Sequence, residues 1–152
     1  MKDVPGYFLL VMLFVFLVNT SIAQCIPMGP DECPDPENNG QVCPDTMPDG
    51  YLNMAYSEEA TILVPEEYLP GVFVHHLTLT SIDNLPTGLS WESNAANNEF
   101  FAGNYYCFVL SGTPTEADVF YLKIVVDVYI DLDGQAVYFG SVADSTSLAM
   151  II

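Results

Sequence analysis

Residues 119–130, near the C-terminus, constrain the fold more than any other part of the chain. Their even positions are all apolar, whereas their odd positions mix apolar, charged and tyrosine side chains. A period of two is that of a β-strand with one buried face, and the many β-branched residues favour a strand over a helix. An Asp-Leu-Asp-Gly turn at residues 131–134 follows. Residues 136–143 are therefore predicted to return as the second strand of a hairpin.

Short runs rich in β-branched and aromatic residues recur from Tyr51 onward, and turn residues separate them. The further predicted strands are residues 60–64, 73–80, 88–91, 105–111 and 148–152. No segment of helical length and period lies between them. Six or seven short strands at this spacing predict an all-β fold, an antiparallel β-sandwich with Greek-key connections. The last predicted strand runs to Ile152, so we expect the natural chain to continue with further modules or a sorting segment.

Residues 24–50 have a different composition from the strands that follow. They contain six prolines and many acidic residues but few large apolar ones. Proline removes a backbone donor and fixes φ, so we predict an irregular segment here without regular secondary structure. The predicted organisation is an irregular Cys-, Pro- and Asp-rich lead-in over residues 24–50 and a β-sandwich over residues 51–152.

The N-terminus has the features of a secretory signal peptide. An apolar run at residues 8–18 is too short to span a membrane, and small residues at Ser21 and Ala23 place cleavage after Ala23. Residues 1–23 are thus predicted to be removed, leaving a secreted or cell-surface protein with no membrane insertion. The alternative, lipid modification at Cys25, is disfavoured because the preceding Gln24 is not small.

All four cysteines lie in the predicted exported part, where disulfides form. Four cysteines allow three connectivities. We favour Cys33–Cys43, because these residues flank a loop that could not otherwise hold a shape, and place Cys25–Cys107 second. A zinc site is the alternative, but no second CxxC pair or histidine cluster accompanies the cysteines.

The formal net charge of -18 excludes several classes of partner. Lys2 and Lys123 are the only Lys or Arg residues, against 20 Asp and Glu. Nucleic acid binding needs Lys and Arg to displace counterions, and anionic membranes would be repelled. We expect self-repulsion to keep the module monomeric.

Two motifs resemble a known family. Residues 84–91 read Asn-Leu-Pro-Thr-Gly-Leu-Ser-Trp, and residues 110–115 read Leu-Ser-Gly-Thr-Pro-Thr ahead of the strand at 119–126. This progression resembles the Ig-like, cadherin-like repeat of secreted bacterial proteins. Residues 42–46 and 48–65 look like the lead-in of proteins exported by type IX secretion. The resemblance covers most of residues 43–130 and implies an Ig-like fold.

The chain departs from the family pattern at two places. Asp118 stands where the family usually has glycine, and the cysteine that often precedes Cys107 is absent. Cys107 is therefore expected either to pair with the N-terminal segment or to remain free. The resemblance implies a non-catalytic spacer or adhesion module of a secreted or surface-anchored bacterial protein, whose partner is an extracellular protein or a glycan.

Carboxylates supply the candidate ligands for calcium. Asp35 and Glu37 lie in the lead-in, and Asp131 with Asp133 precede Gly134. Clustered oxygens suit weak Ca²⁺ binding, although neither place matches an EF-hand loop and an ordinary solvated turn is the favoured interpretation. No other cofactor is indicated.

Histidines and aromatic residues supply the remaining candidates. His75 and His76 are adjacent, so in a regular strand they point to opposite faces and cannot share a metal; we predict a packed His75 and a surface His76. Tyr121 and Tyr129 share the less apolar face of their strand and are the candidate ligand contacts. They motivate the alternative function, a carbohydrate-binding accessory module of a secreted hydrolase. No nucleophile motif is present, and we expect no enzymatic activity.

Overall fold

The computed structural model describes residues 25–152, so the predicted signal peptide lies outside the described residues. Within this range the chain forms antiparallel sheets and no α-helix. The strands are β1 (Gln41–Cys43), β2 (Tyr56–Leu63), β3 (Glu67–Leu69), β4 (Val72–Asp83), β5 (Leu89–Ser93), β6 (Glu99–Phe101), β7 (Tyr105–Gly112), β8 (Val119–Tyr121), β9 (Lys123–Leu132), β10 (Gln135–Asp144) and β11 (Ala149–Ile151). None of the described residues forms a helix of the length and apolarity needed to cross a membrane.

The strands form two larger sheets and one small one. The four-stranded sheet has the order β1-β2-β7-β5, and the five-stranded sheet has the order β10-β9-β4-β3 with β6 also paired to β4. Strands β8 and β11 form a separate pair. The prediction of an all-β, antiparallel fold is confirmed.

The main hydrophobic core lies between the two larger sheets. Phe108 and Leu110 of β7 belong to the same buried cluster as Leu79 of β4 and Val128 of β9. Phe100 of β6 is fully buried in it. Burying a side chain of this size contributes about 1.5–3 kcal/mol, so this shared core holds the two sheets together. The arrangement is compatible with a β-sandwich.

The segment 119–130 is two strands rather than the single one predicted. Strand β8 ends at Tyr121 and β9 begins at Lys123, because the chain passes from the small sheet to the five-stranded sheet at Leu122. Leu122 is fully buried, and its backbone N–H donates to the carbonyl of Leu148 at 2.9 Å. The predicted alternation continues through the break, since Leu122, Ile124 and Val128 are all buried.

The predicted hairpin of β9 and β10 is present. The two strands pair from the turn outward, and the turn residues Asp133 and Gly134 have φ of 55° and 80°. Positive φ at both central residues is typical of a type I′ hairpin turn. Asp131 stabilises the turn, because its Oδ1 accepts a hydrogen bond from the Gly134 N–H at 2.7 Å.

The lead-in is less irregular than predicted. Residues 41–43 form β1, which pairs with β2, because this stretch between Gly40 and Pro44 contains no proline to interrupt the ladder. Met47 is almost fully buried, and its N–H donates to the carbonyl of Ala149 at 2.8 Å. The lead-in therefore packs into the same core as the predicted sandwich.

Candidate functional site

A β-bulge in β4 creates the most distinctive surface of the molecule. Val74 pairs with Ile130, and the next residue in register with β9 is His76, opposite Tyr129. His75 is the extra residue. A bulge changes the alternation of side chains, and here it brings the two imidazoles together, with their Nδ1 atoms 2.8 Å apart.

Four aromatic rings, including that of His76, lie side by side across the strands of the five-stranded sheet. In the ladders, His76 pairs with Phe101 of β6 and with Tyr129 of β9, and Tyr129 pairs with Tyr138 of β10. We call Phe101, His76, Tyr129 and Tyr138 the aromatic row. His76 stacks on Tyr129 with ring centroids 4.3 Å apart and planes 9° apart. Tyr138 meets Tyr129 edge-on at 5.6 Å.

The two ends of the aromatic row are open to solvent, whereas His76 near its centre is not. Phe101 is 44% exposed and Tyr138 is 54% exposed, but His76 is only 8% exposed. The row thus presents aromatic surface on a rigid frame, because each ring projects from a paired strand.

A hydrogen-bonded chain fixes the outer end of the row. The Tyr138 hydroxyl lies 3.1 Å from Ser141 Oγ, and Ser141 Oγ donates to Asp127 Oδ1. Asp127 and Ser141 face each other across β9 and β10. This chain restrains the Tyr138 ring, which lowers the entropic cost of using it to bind a ligand.

The electrostatics of the row favour a neutral His76. Burial lowers the pKa of His76, the neighbouring His75 lowers it further, and the charge of Glu99 opposes both. Its imidazole is therefore neutral at neutral pH, with a nitrogen lone pair free to accept a proton or to bind a metal.

The prediction for the histidines was wrong. We expected a packed His75 and a surface His76 on opposite faces, but His76 is the buried residue, His75 is half-buried, and their rings are in contact. The cause is the bulge at His75. Because of the extra residue, the side chains that precede it in β4 lie on the opposite face from the one that strict alternation predicts.

The two candidate tyrosines are not brought together in one sheet. Tyr129 is part of the aromatic row, whereas Tyr121 lies in β8 of the two-stranded sheet, where it is 64% exposed. Sequence reasoning identified Tyr129 but missed Phe101, Tyr138 and the histidines as its partners.

The candidate calcium ligands lie in two different loops. Asp35 accepts hydrogen bonds from the backbone N–H groups of Asn39 and Gly40, and Asp131 caps the hairpin turn. Glu37 and Asp133 accompany them in the same loops. Among residues 25–152, no group of three or more His, Cys, Asp or Glu side chains is arranged to hold a metal ion.

Two disulfides attach the lead-in to the sheets. Cys33 pairs with Cys43 and Cys25 pairs with Cys107, which are the two pairings expected from the sequence. Cys107 lies in β7, so the second disulfide joins the start of the described chain to the middle of the four-stranded sheet. Two disulfides are compatible with an extracellular protein.

An apolar cavity of about 190 Å³ opens between the two larger sheets. Val42, Ile62, Val126 and Val142 line it, together with the carboxylate of Asp144. Burial raises the pKa of Asp144, but hydrogen bonds from the neighbouring residues 146 and 147 outweigh that effect and hold it below the ordinary value. Asp144 is thus an ionised loop cap, and the cavity is a gap in the core with one charged group at its rim.

Comparison with protein-family models, with curated proteins and with solved structures yields no match to this chain. The functional argument therefore depends on the geometry of the molecule itself.

Proposed function

We propose that this chain is a non-catalytic extracellular module that acts as a spacer or adhesion domain of a secreted or cell-surface bacterial protein. The observation that carries the proposal is the aromatic row, which places exposed rings on one face of a disulfide-bonded β frame. Aromatic residues with restrained rings are the groups that contribute most to protein interfaces.

The finer description of the fold belongs to the same proposal. An Ig-like sandwich with Greek-key connections accounts for the two sheets around one core and for the motif resemblance at residues 84–91 and 110–115. Export through a signal peptide over residues 1–23, and the type IX route, account for the two disulfides and the lead-in.

Charge restricts the kind of partner. A formal net charge of -18 repels acidic surfaces over about a Debye length, roughly 8 Å at physiological salt. Lys123 is the only Lys or Arg among the residues that follow the predicted cleavage site, and it is paired with Asp83 at 3.2 Å. The partner is therefore a neutral or basic surface.

The test is binding of the disulfide-bonded domain to an array that carries neutral glycans, acidic glycans, and basic and acidic extracellular proteins. Tyr138→Ala and Phe101→Ala remove the exposed ends of the row. We expect each to weaken binding by about tenfold or more. Tyr121→Ala is the matched control, because it removes an exposed tyrosine from a different sheet. Equal losses in all three variants, or a preference for acidic probes, would contradict the proposal.

Carbohydrate binding, as an accessory module of a secreted hydrolase, is the second candidate. The observation that favours it is the pair of exposed rings at the ends of the row, Phe101 and Tyr138, since aromatic faces stack on sugar rings. The same array separates the two functions: selective binding to neutral glycans that is lost in Tyr129→Ala favours the carbohydrate-binding module, and selective binding to proteins favours adhesion.

A further inference from the structure

The aromatic row uses the ring surface of His76, but the proposed binding function leaves the ring nitrogens of the two histidines without a role. His75 and His76 are the only histidines in the chain, and their Nδ1 atoms lie 2.8 Å apart. Two neutral imidazoles approach this closely only when something lies between the two nitrogens, because their lone pairs otherwise repel. In the absence of metal, that is a proton, which one Nδ1 donates to the other.

A metal ion satisfies the same pair of nitrogens. Two nitrogen ligands at about 2.0–2.1 Å from one metal ion lie about 2.8–3.0 Å apart at a right angle, but about 3.3–3.4 Å apart at the tetrahedral angle. The observed separation of 2.8 Å matches the right angle. Right angles between neighbouring ligands are typical of square-planar and tetragonal sites, which suit Cu²⁺ and Ni²⁺.

Neighbouring aromatic rings hold the His76 imidazole in place, whereas the His75 imidazole is accessible from solvent. His76 is held between Tyr129 at 4.3 Å and Phe101 at 5.6 Å, whereas His75 is half-buried and reaches solvent. A fixed first ligand reduces the entropy that is lost when the second one closes on the metal.

The protein supplies two ligands to such a metal ion, and other donors would complete its coordination. Within residues 25–152 no third His, Cys, Asp or Glu side chain joins the pair in a metal-binding group. Water or a donor atom of a bound partner would fill the other positions. The charge of -18 raises the local concentration of divalent cations around this open site.

We propose that His75 and His76 bind one late divalent transition-metal ion, of the class of Cu²⁺ and Ni²⁺, through their two Nδ1 atoms. On binding, the ring that donated the bridging proton carries it on Nε2 instead, so both Nδ1 lone pairs face the metal. This site is independent of the proposed adhesion function, because it requires no partner.

The test is titration of the disulfide-bonded protein, prepared without a histidine tag, with Cu²⁺ in the presence of excess Ca²⁺ to occupy the carboxylates. Electron paramagnetic resonance and calorimetry are the readouts. We expect one equivalent of Cu²⁺ with the hyperfine pattern of two nitrogen ligands. His75→Ala should reduce this pattern to one nitrogen and weaken affinity by about tenfold or more, and His75→Ala/His76→Asn should abolish it.

Two controls keep the proposal falsifiable. Asp131→Asn/Asp133→Asn removes two negative charges elsewhere and should leave the two-nitrogen signal unchanged. If the histidine variants fail to fold, the imidazole proton resonances of the unmodified protein provide the answer, since only two histidines contribute to them. These resonances should broaden at less than one equivalent of Cu²⁺. Unbroadened imidazole signals, or a spectrum with oxygen ligands only, would overturn the proposal.

Discussion

The two disulfides close loops of very different length, and this difference predicts how much each one stabilises the protein. Cys25 and Cys107 are 82 residues apart in the sequence, whereas Cys33 and Cys43 are 10 apart. A disulfide stabilises the folded protein chiefly by restricting the unfolded chain, and it does so more strongly when the loop is longer.

The magnitudes follow from the loop lengths. Chain-entropy arithmetic gives about 4.5 kcal/mol for the Cys25–Cys107 loop and about 2.7 kcal/mol for the Cys33–Cys43 loop, a difference of about 1.8 kcal/mol. The packing cost of removing the sulfur atoms is similar for both pairs, because all four cysteines are less than 9% exposed. The difference between the two variants therefore reports on chain entropy.

The assay compares Cys25→Ala/Cys107→Ala with Cys33→Ala/Cys43→Ala by urea denaturation, each extrapolated to zero denaturant. Both should unfold at lower urea than the unmodified protein, with the long-loop variant less stable. The m-value should increase more in the long-loop variant, because its unfolded chain becomes less compact. Equal costs, or a larger cost for the short loop, would refute the argument and assign the stabilisation to native contacts of the lead-in.

Three further substitutions test the fold. Burial raises the pKa of Tyr56 from 10.0 to about 12. This folded pKa lies above the unfolded one, so a stability contribution of at most about 2 kcal/mol, after a discount for solvent screening, is present below pH 10 and is lost as pH rises through 12. Tyr56→Phe should lose this alkaline dependence in urea titrations, whereas the exposed control Tyr51→Phe should keep it. Gly88→Ala should cost more than about 2 kcal/mol by the same assay, since φ is +96° and a Cβ would lie 2.1 Å from the carbonyl oxygen of Thr113. Leu122→Ala should lower the unfolding free energy by about 3–4 kcal/mol, because it empties a fully buried position where the chain changes sheets.

The longer strands were predictable because their alternation is local. Residues 105–111 and 136–143 carry enough of the period-two pattern to be assigned without knowing their partners, and both lie inside observed strands. The short strands β3 and β6 were not predicted. Each has three residues, and each exists because it pairs with β4 rather than because of its own sequence.

The candidate site was harder to predict than the fold, since it depends on where the alternation fails. The inward-facing residues of β4 are Val74, Leu77, Leu79 and Ile82, spaced three, two and three apart. Each spacing of three coincides with a register shift against β9. The apolar spacing therefore contained the signal for both bulges, but only the ladder with β9 shows which residue is the extra one.

This interpretation of β4 makes a last prediction, which concerns deletion of His75. Removing the bulged residue leaves Val74 opposite Ile130 and His76 opposite Tyr129, so every inward residue keeps its face and the ladder with β9 becomes continuous at this point. We expect the deletion to change the unfolding free energy by only about 1 kcal/mol, with the Cu²⁺ signal reduced to one nitrogen. Asp127 of β9 pairs with β10 on one side and with β4 on the other. Deleting it should instead prevent folding, because the rest of β9 would slip by one residue and turn its side chains to the wrong face. Circular dichroism and urea titration measure both, and similar destabilisation in the two deletions would show that His75 is not an inserted residue in the ladder.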